Sequence, residues 1–366
     1  MKIATLTFHR AVNYGAVLQA VALCQALKNR FPDCESGILD YHNEKIEKKF
    51  RPFFVKKKKN PIGTVKSVIH AFMAYPVRSK KKKKFEEFLE NNASLIPFTT
   101  DEEKNAALRE IDRYIVGSDQ VWNFDLSGND ETYLLGFIAE KEKKGAYAPS
   151  IGKTELTESE YSKLQAIKNF GYLSAREETA SDIIENITGN KPVLVPDPVF
   201  LLSKEEWRAK EEKYKGIPEK YVLIYKFADN DKKMTQFAYD YAKKNNCEIV
   251  IVQSSLKNAD GAKVVRDASP GEFLWLIDNA QCVVTNSFHG TAFSILFEKE
   301  FYSEANVARG TRIKEVLRLY GLEGQLMLDG VKLGGAVSES RDKVSEHISF
   351  YRTNAFEYLD RIVGKN

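Results

Sequence analysis

Histidine is scarce in this chain, with five in 366 residues. The four cysteines, Cys24, Cys34, Cys247 and Cys282, fall in no metal-type spacing. Cys24 and Cys282 lie within apolar helix and strand patterns, so the expectation is reduced, mostly buried thiols. No apolar run approaches the roughly 18–20 residues that a membrane span requires. The first residues read as a short strand running straight into His9-Arg10, which is unlike a signal peptide. There is no fixed-period repeat and no low-complexity linker. Walker loop, GxGxxG, GxSxG elbow and HExxH are all missing, and no metal-ligand cluster stands out. These absences argue against a disulfide-stapled secreted fold, a membrane-spanning chain, a solenoid and the commonest nucleotide, hydrolase and zinc-protease sites. The expected setting is cytoplasmic, with no metal.

What is present is a soluble composition, 43% hydrophobic and 29% charged, in a length that suits two ordinary domains. The net charge of +4 hides an asymmetry. Between Lys45 and Glu87, fifteen Lys/Arg face three Glu, a net of +12, which leaves about −8 elsewhere. A uniformly basic nucleic-acid binder would not look like this, and no aromatic-interleaved basic strand accompanies the excess. Lys56–Lys59 and Lys80–Lys84 bracket Pro61–Val77, which carries Ile62, Val65, Val68, Ile69, Phe72 and Met73. Two readings stay open. The segment is a solvated helical excursion with charged ends, or Lys56–Lys84 is a membrane-surface element suited to anionic headgroups at the inner face of a membrane.

Along the chain, strand patterns alternate with helix patterns. Lys2–Leu6, Ile38–Tyr41, Tyr114–Val116, Lys144–Ala148, Tyr172–Ser174 and Val193–Val195 are apolar strands. Gly15–Arg30, Phe85–Leu95 and a stretch ending near Asn186 are helical. After the Lys/Glu-rich stretch Ser203–Lys220 the pattern restarts with strands at Tyr221–Lys226, Glu248–Gln253, Cys282–Thr285 and Phe301–Ser303. Helices are predicted at Asp231–Lys244, from Ser269-Pro270-Gly271 to Asn279, after His289, at Thr311–Tyr320 and over Ser338–Asp360. This is α/β: two parallel-sheet, Rossmann-like units, the two sheets facing each other across a cleft. The expected division is 1–202 with the basic excursion at 45–95, a linker at 203–220, a second domain at 221–335 and a helical segment at 336–366.

In open α/β sheets, ligands bind outside the carboxyl ends of the strands. Five such ends are polar: His9/Arg10/Asn13, Ser118/Asp119/Gln120/Asn123, Ser150, Arg176/Glu177 and Asn286/Ser287/His289. The last follows the buried strand Cys282–Thr285 and opens a helix with Gly290 and Thr291, where backbone N–H groups and the helix dipole favour an anion. Each position also has a plainer reading. Histidines at turns often cap or hydrogen-bond; Asp119 could cap its turn; Trp122 reads as packing; Arg176 could pair with Glu177 or another carboxylate. His42, His70 and His347 read as surface or helix-face residues, and Cys282 as strand core. The residues alone imply a two-domain enzyme for an anionic small molecule, without naming the reaction.

Six stretches in order resemble the polysaccharide pyruvyl transferase family: Thr7–Ala20, Ile115–Asn123, Tyr147–Gly152, Ser174–Glu177, Asp197–Val199 and Thr285–Ser294. The resemblance implies a fold similar to the GT-B glycosyltransferases, with a deep cleft. It implies transfer of a pyruvyl group from phosphoenolpyruvate, as co-substrate and with no further cofactor, to two hydroxyls of a sugar, often lipid-linked, in cell-surface polysaccharide synthesis. It also implies roles. His289 and Asp119 would be catalytic. Arg176, Asn286, Ser287, Gly290 and Thr291 would hold the donor. His9, Arg10, Asn13, Gly15, Ser118, Gln120 and Asn123 would line the cleft or orient the acceptor. One departure is visible. Well-studied members tend to carry arginine two residues before the motif histidine, and here Ser287 stands there, so either Arg10, Lys226 or Arg312 replaces it or the donor differs. Two other readings remain: a glycosyltransferase using a nucleotide sugar, and a non-catalytic binder of sugars or lipid-linked intermediates.

Overall fold

The computed structural model describes residues 1–55, 60–98, 106–226, 232–305, 310–328, 331–332 and 341–364. The chain forms two compact units. Unit 1 is Met1–Phe54, Glu86–Leu202 and Phe350–Asn366; unit 2 is Val55–Phe85 and Ser203–Ser349.

Unit 1 is built on seven strands: β1 (Lys2–Leu6), β2 (Glu35–Asp40), β3 (Leu95–Pro97), β4 (Arg113–Val116), β5 (Lys144–Ala146), β6 (Tyr172–Ala175) and β7 (Val193–Leu194). They pair in parallel in the order β3-β2-β1-β4-β5-β6-β7. Unit 2 has β8 (Tyr221–Tyr225), β9 (Glu248–Val252), β10 (Ala262–Val265), β11 (Cys282–Thr285), β12 (Glu300–Glu304), β13 (Leu326–Leu328) and β14 (Val331–Lys332). Their order is β10-β9-β8-β11-β12-β13-β14, parallel except that β14 runs antiparallel to β13. The two sheets therefore repeat one winding: three strands laid one way, then a return across the first. The return falls between β1 and β4 in unit 1 and between β8 and β11 in unit 2. In open α/β sheets such a switch point is where ligands bind, outside the carboxyl ends of the strands. Central strands such as β8 and β11 are buried along their whole length, which explains their continuous apolar sequence.

The helices are α1 (Tyr14–Arg30), α2 (Glu44–Lys49), α3 (Pro61–Asn92), α4 (Ala106–Arg109), α5 (Phe124–Ser127), α6 (Glu158–Leu164) and α7 (Glu178–Thr188). They continue as α8 (Lys204–Arg208), α9 (Lys232–Lys244), α10 (Pro270–Asp278), α11 (Phe288–Leu296), α12 (Thr311–Leu319) and α13 (Arg341–Val363). Capping accounts for several starts. Asn13 Oδ1 accepts the Ala16 N–H, and Ser269 forms a reciprocal capping box with Glu272, with Pro270 in the first turn. The core of unit 1 gathers Leu6, Val116, Trp122, Tyr133, Ala146 and Ile184, and that of unit 2 Val222, Ile224, Met234, Ala238, Ile251 and Val284.

The division differs from the sequence expectation in three places. The basic excursion is not one appendage of the N-terminal half, since 55–85 belongs to unit 2. Pro61–Val77 and Phe85–Leu95 are one continuous helix that runs through Pro76, and Leu95 has already entered β3. The stretch 203–220 is no open linker. Ser203 caps α8, and Trp207 is fully buried with its ring 5.1 Å from that of Phe293. The C-terminal helix is divided too. From Phe350 it belongs to unit 1, where Arg352 donates to the Phe200 and Leu202 carbonyls, Tyr358 Oη to Ala146 O at 2.8 Å, and Asp360 pairs with Arg30. The expected start at Ser338 lies outside the described residues, as do Lys56–Lys59 and Asp231. Among the described residues, no helix is long and apolar enough to cross a membrane.

Candidate active site

In unit 1 the β1/β4 return carries the turn Gly117-Ser118-Asp119. Its Ser118 peptide is gripped at both ends: Thr7 Oγ1 donates to Ser118 O at 2.9 Å, and Ser118 N–H donates to Gln19 Oε1 at 3.0 Å. Gln19 Nε2 in turn donates to Thr7 Oγ1 at 2.8 Å. Gly117 has φ +111°, and a Cβ there would lie 2.3 Å from Tyr147 O, so only glycine fits. Asp119 has φ +67°; its carbonyl accepts from Val121 and Ser150 N–H, while its half-buried carboxylate has no hydrogen bond or ion pair among the described residues. Gln120 Oε1 accepts from Asn123 Nδ2 at 3.0 Å, and Asn123 also caps α5.

Beneath this turn Arg176 is almost fully buried. Its Nη1 lies 2.7 Å from Asp197 Oδ2 and its Nε 3.2 Å from Glu177 Oε2; Ser150 Oγ donates to Glu177. Burial would lower the guanidinium, but the charges of Glu177, Asp197 and Asp119 outweigh it and push its pKa up. Three carboxylates around one cation leave a local excess of negative charge. Arg176 is therefore no open anion clamp. The plainer pairing reading describes it, with Asp197 as the partner that the sequence did not single out.

His9 and Arg10 are likewise committed. His9 is buried, with Nδ1 3.0 Å from Thr7 O and Nε2 3.1 Å from Asp40 Oδ1, so neither ring nitrogen remains for a substrate. Arg10 grips both Asp40 oxygens at 2.7 Å. Burial alone would raise Asp40, but His9 and Arg10 hold it well below the usual carboxylate range. Asn13 caps α1 and Gly15 is buried within it. Trp122 is core, its Nε1 donating to Tyr133 O at 3.1 Å.

In unit 2 the β8/β11 return carries Asn286-Ser287-Phe288-His289. Ser287, not His289, starts the helix: its Oγ accepts the Gly290 N–H at 3.2 Å as the cap of α11. Thr285 Oγ1 accepts the Ser287 N–H at 3.0 Å and donates to Tyr225 O at 2.7 Å. A Cβ on Gly290 would stand 2.5 Å from Thr285 Oγ1, which fixes glycine there. Thr291 Oγ1 is spent on Ser287 O and Ser303 Oγ. Gly290 and Thr291 thus build the turn. His289 sits in the first turn of α11, 7% exposed, with its ring edge-on to Phe288 at 5.1 Å. Burial pushes the Cys282 thiol far up, which suits strand core.

The register places one cation beside this turn. Thr285 pairs with Tyr225, so Asn286 and Lys226 are the next residues out of adjacent strands. Among the described residues, Lys226 Nζ has one polar contact, a 3.3 Å hydrogen bond to Thr235 Oγ1, and no carboxylate pairs with it. Arg10 is held by Asp40, Arg312 lies on α12, and Lys226 follows β8 in register with Asn286.

Sequence reasoning missed Gln19 and Asp40. The signal for Gln19 was there, a lone amide in the otherwise apolar run Ala16–Leu23.

The fold is similar to that of Methanocaldococcus jannaschii UDP-GlcNAc 2-epimerase in complex with UDP-GlcNAc and UDP. That match has 15% identity, covers 100% of both chains and has a TM-score of 0.53. It is also similar to an S. aureus MnaA-UDP co-structure, at 10% identity, 100% of this chain, 97% of that one and TM-score 0.54. A putative UDP-N-acetylglucosamine 2-epimerase from Listeria monocytogenes follows, at 11% identity, 99% and 90% coverage and TM-score 0.51. At such identities the likeness is one of fold, and it puts the chain among GT-B-type folds. No curated protein matches the sequence. The sequence model for polysaccharide pyruvyl transferases spans residues 13–306, taking in Asp119, Lys226 and His289, and the chain belongs to the polysaccharide pyruvyl transferase family.

Proposed function

We propose that the chain transfers a pyruvyl group from phosphoenolpyruvate to two hydroxyls of a cell-surface polysaccharide precursor, closing a cyclic ketal. The observation that carries this reading is His289: the family match covers it, and it stands in the first turn of α11 at the strand-order return of unit 2. The chemistry needs a group that gives and takes a proton near neutral pH, which histidine supplies. The imidazolium of His289 gives its proton to carbon 3, which makes carbon 2 electrophilic, and the first sugar hydroxyl adds there as its own proton returns to the imidazole. Phosphate then leaves with the C–O bonding pair, and the second hydroxyl closes the ketal and yields its proton to the departing phosphate. Lys226, one residue beyond β8 and in register with Asn286, takes the place of the missing arginine toward the anionic donor. Arg176 is reassigned from donor binding to support of the Asp119 turn. Among the described residues, Asp119 keeps a carboxylate clear of hydrogen bonds at the corresponding return of unit 1.

The test is phosphate release from phosphoenolpyruvate with a panel of lipid-linked and free sugars. Release that depends on the acceptor supports the reading. A nucleotide-sugar transferase is the second reading, favoured by Ser287 where an arginine is expected. Absence of release with every acceptor, together with turnover of a nucleotide sugar, would overturn the first reading in favour of the second.

A further inference from the structure

The N-terminal part of α3 turns its large apolar side chains outward. Ile62 is 70% exposed, Val65 58%, Ile69 55%, Phe72 65% and Met73 66%. At 100° per residue these five positions share an arc of about 100°, and they run about 16 Å along the helix. The opposite side seats the helix on the protein through the fully buried Ala71 and Ala74. An exposed stripe of this kind calls for an occupant.

The lysine clusters divide into two roles. Within unit 2, Lys80 Nζ lies 2.6 Å from Asp267 and Lys84 Nζ 2.7 Å from Glu272. Lys81 is buried over the Phe85 ring, and burial pushes it down to about 8. The C-terminal cluster therefore fastens α3 to its own unit through Lys80 and Lys84. The N-terminal end differs. Lys66 is exposed beside the stripe, and Lys56–Lys59 end three residues before Ile62 in the sequence.

We propose that this stripe of α3, with Lys66 beside it, lies in the headgroup region of an anionic lipid bilayer. Charge decides between a bilayer and a second copy of the chain. In the sequence, 55–66 carries five lysines and no acidic residue, so a two-fold contact between copies would set that charge against itself. An anionic membrane accepts the apolar side chains and attracts the lysines together. The proposal is independent of the pyruvyl reading.

The full chain is sedimented with phosphatidylcholine vesicles, with and without phosphatidylglycerol. The expected result is binding only to the anionic vesicles, weakened more than about tenfold by Ile69→Asp with Phe72→Asp. The melting temperature should hold, because both side chains are exposed. A Phe72→Trp chain gives a second readout, a blue shift of emission on adding anionic vesicles; it decides the matter if the aspartate variant does not fold. No sedimentation, equal binding by the aspartate variant, or no blue shift overturns the proposal. So does self-association that the aspartates abolish in a chain that ignores vesicles, since it gives the stripe to a second copy.

Discussion

Arg176 Nη1 and Asp197 Oδ2 lie 2.7 Å apart with both side chains almost wholly shielded from water. Removing one member of such a pair strands a buried charge. Arg176→Ala should therefore lower stability by about 3–5 kcal/mol, read as a shifted urea midpoint. A donor-binding arginine would behave oppositely, raising KM for phosphoenolpyruvate at unchanged stability.

His289→Gln should lower kcat at least ~100-fold, within the range for loss of an acid–base group. Glutamine keeps much of the volume beside Phe288, so thermal unfolding should move little. A large fall in Tm with residual turnover would make His289 a turn residue of α11.

Lys226→Gln should raise KM for phosphoenolpyruvate about tenfold or more, the loss of one charged contact, with a smaller change in kcat. Lys226→Arg should restore most of the affinity. Unchanged KM in Lys226→Gln would remove it from the donor site.

Glu211 gives a pH prediction for unit 2. Burial first, then the carboxylate of Asp278, pushes it from 4.5 up to about 7; Asp278 is itself held by Arg208 at 2.7 Å. Between these values the folded chain keeps a proton that the unfolded chain has released. Stability from this group should thus fall as pH rises from about 4.5 to 7 and stay level above, by roughly 1–2 kcal/mol once solvent screening is allowed for. Glu211→Gln should flatten that slope in denaturant titrations across the window. An unchanged slope would refute the assignment.

The sheets were legible because central parallel strands must be apolar throughout, as Cys282–Thr285 and Tyr221–Tyr225 are. Their polar ends could be found by the same logic, and both strand-order returns fall on stretches picked out that way. Roles were less legible, because hydrogen-bond partners come from afar. Asp40 takes His9 from thirty-one residues away and Arg10 from thirty, and Asp197 takes Arg176 from twenty-one. β10 escaped notice because its AKVV is buried only at Val265. Pro61–Val77 and Phe85–Leu95 read as separate pieces, whereas α3 runs on through Pro76 with Ala71, Ala74, Phe85 and Phe88 buried along it.

The division of α13 has a consequence for taking the protein apart. Cutting after Leu202 would leave Ala146 O, at the end of β5, without Tyr358, and the Phe200 and Leu202 carbonyls without Arg352. Neither half of the polypeptide is then an autonomous folding piece. Translation must reach the last helix before unit 1 can close, and a protease nick near residue 349 should loosen the first-made sheet, not merely trim a tail.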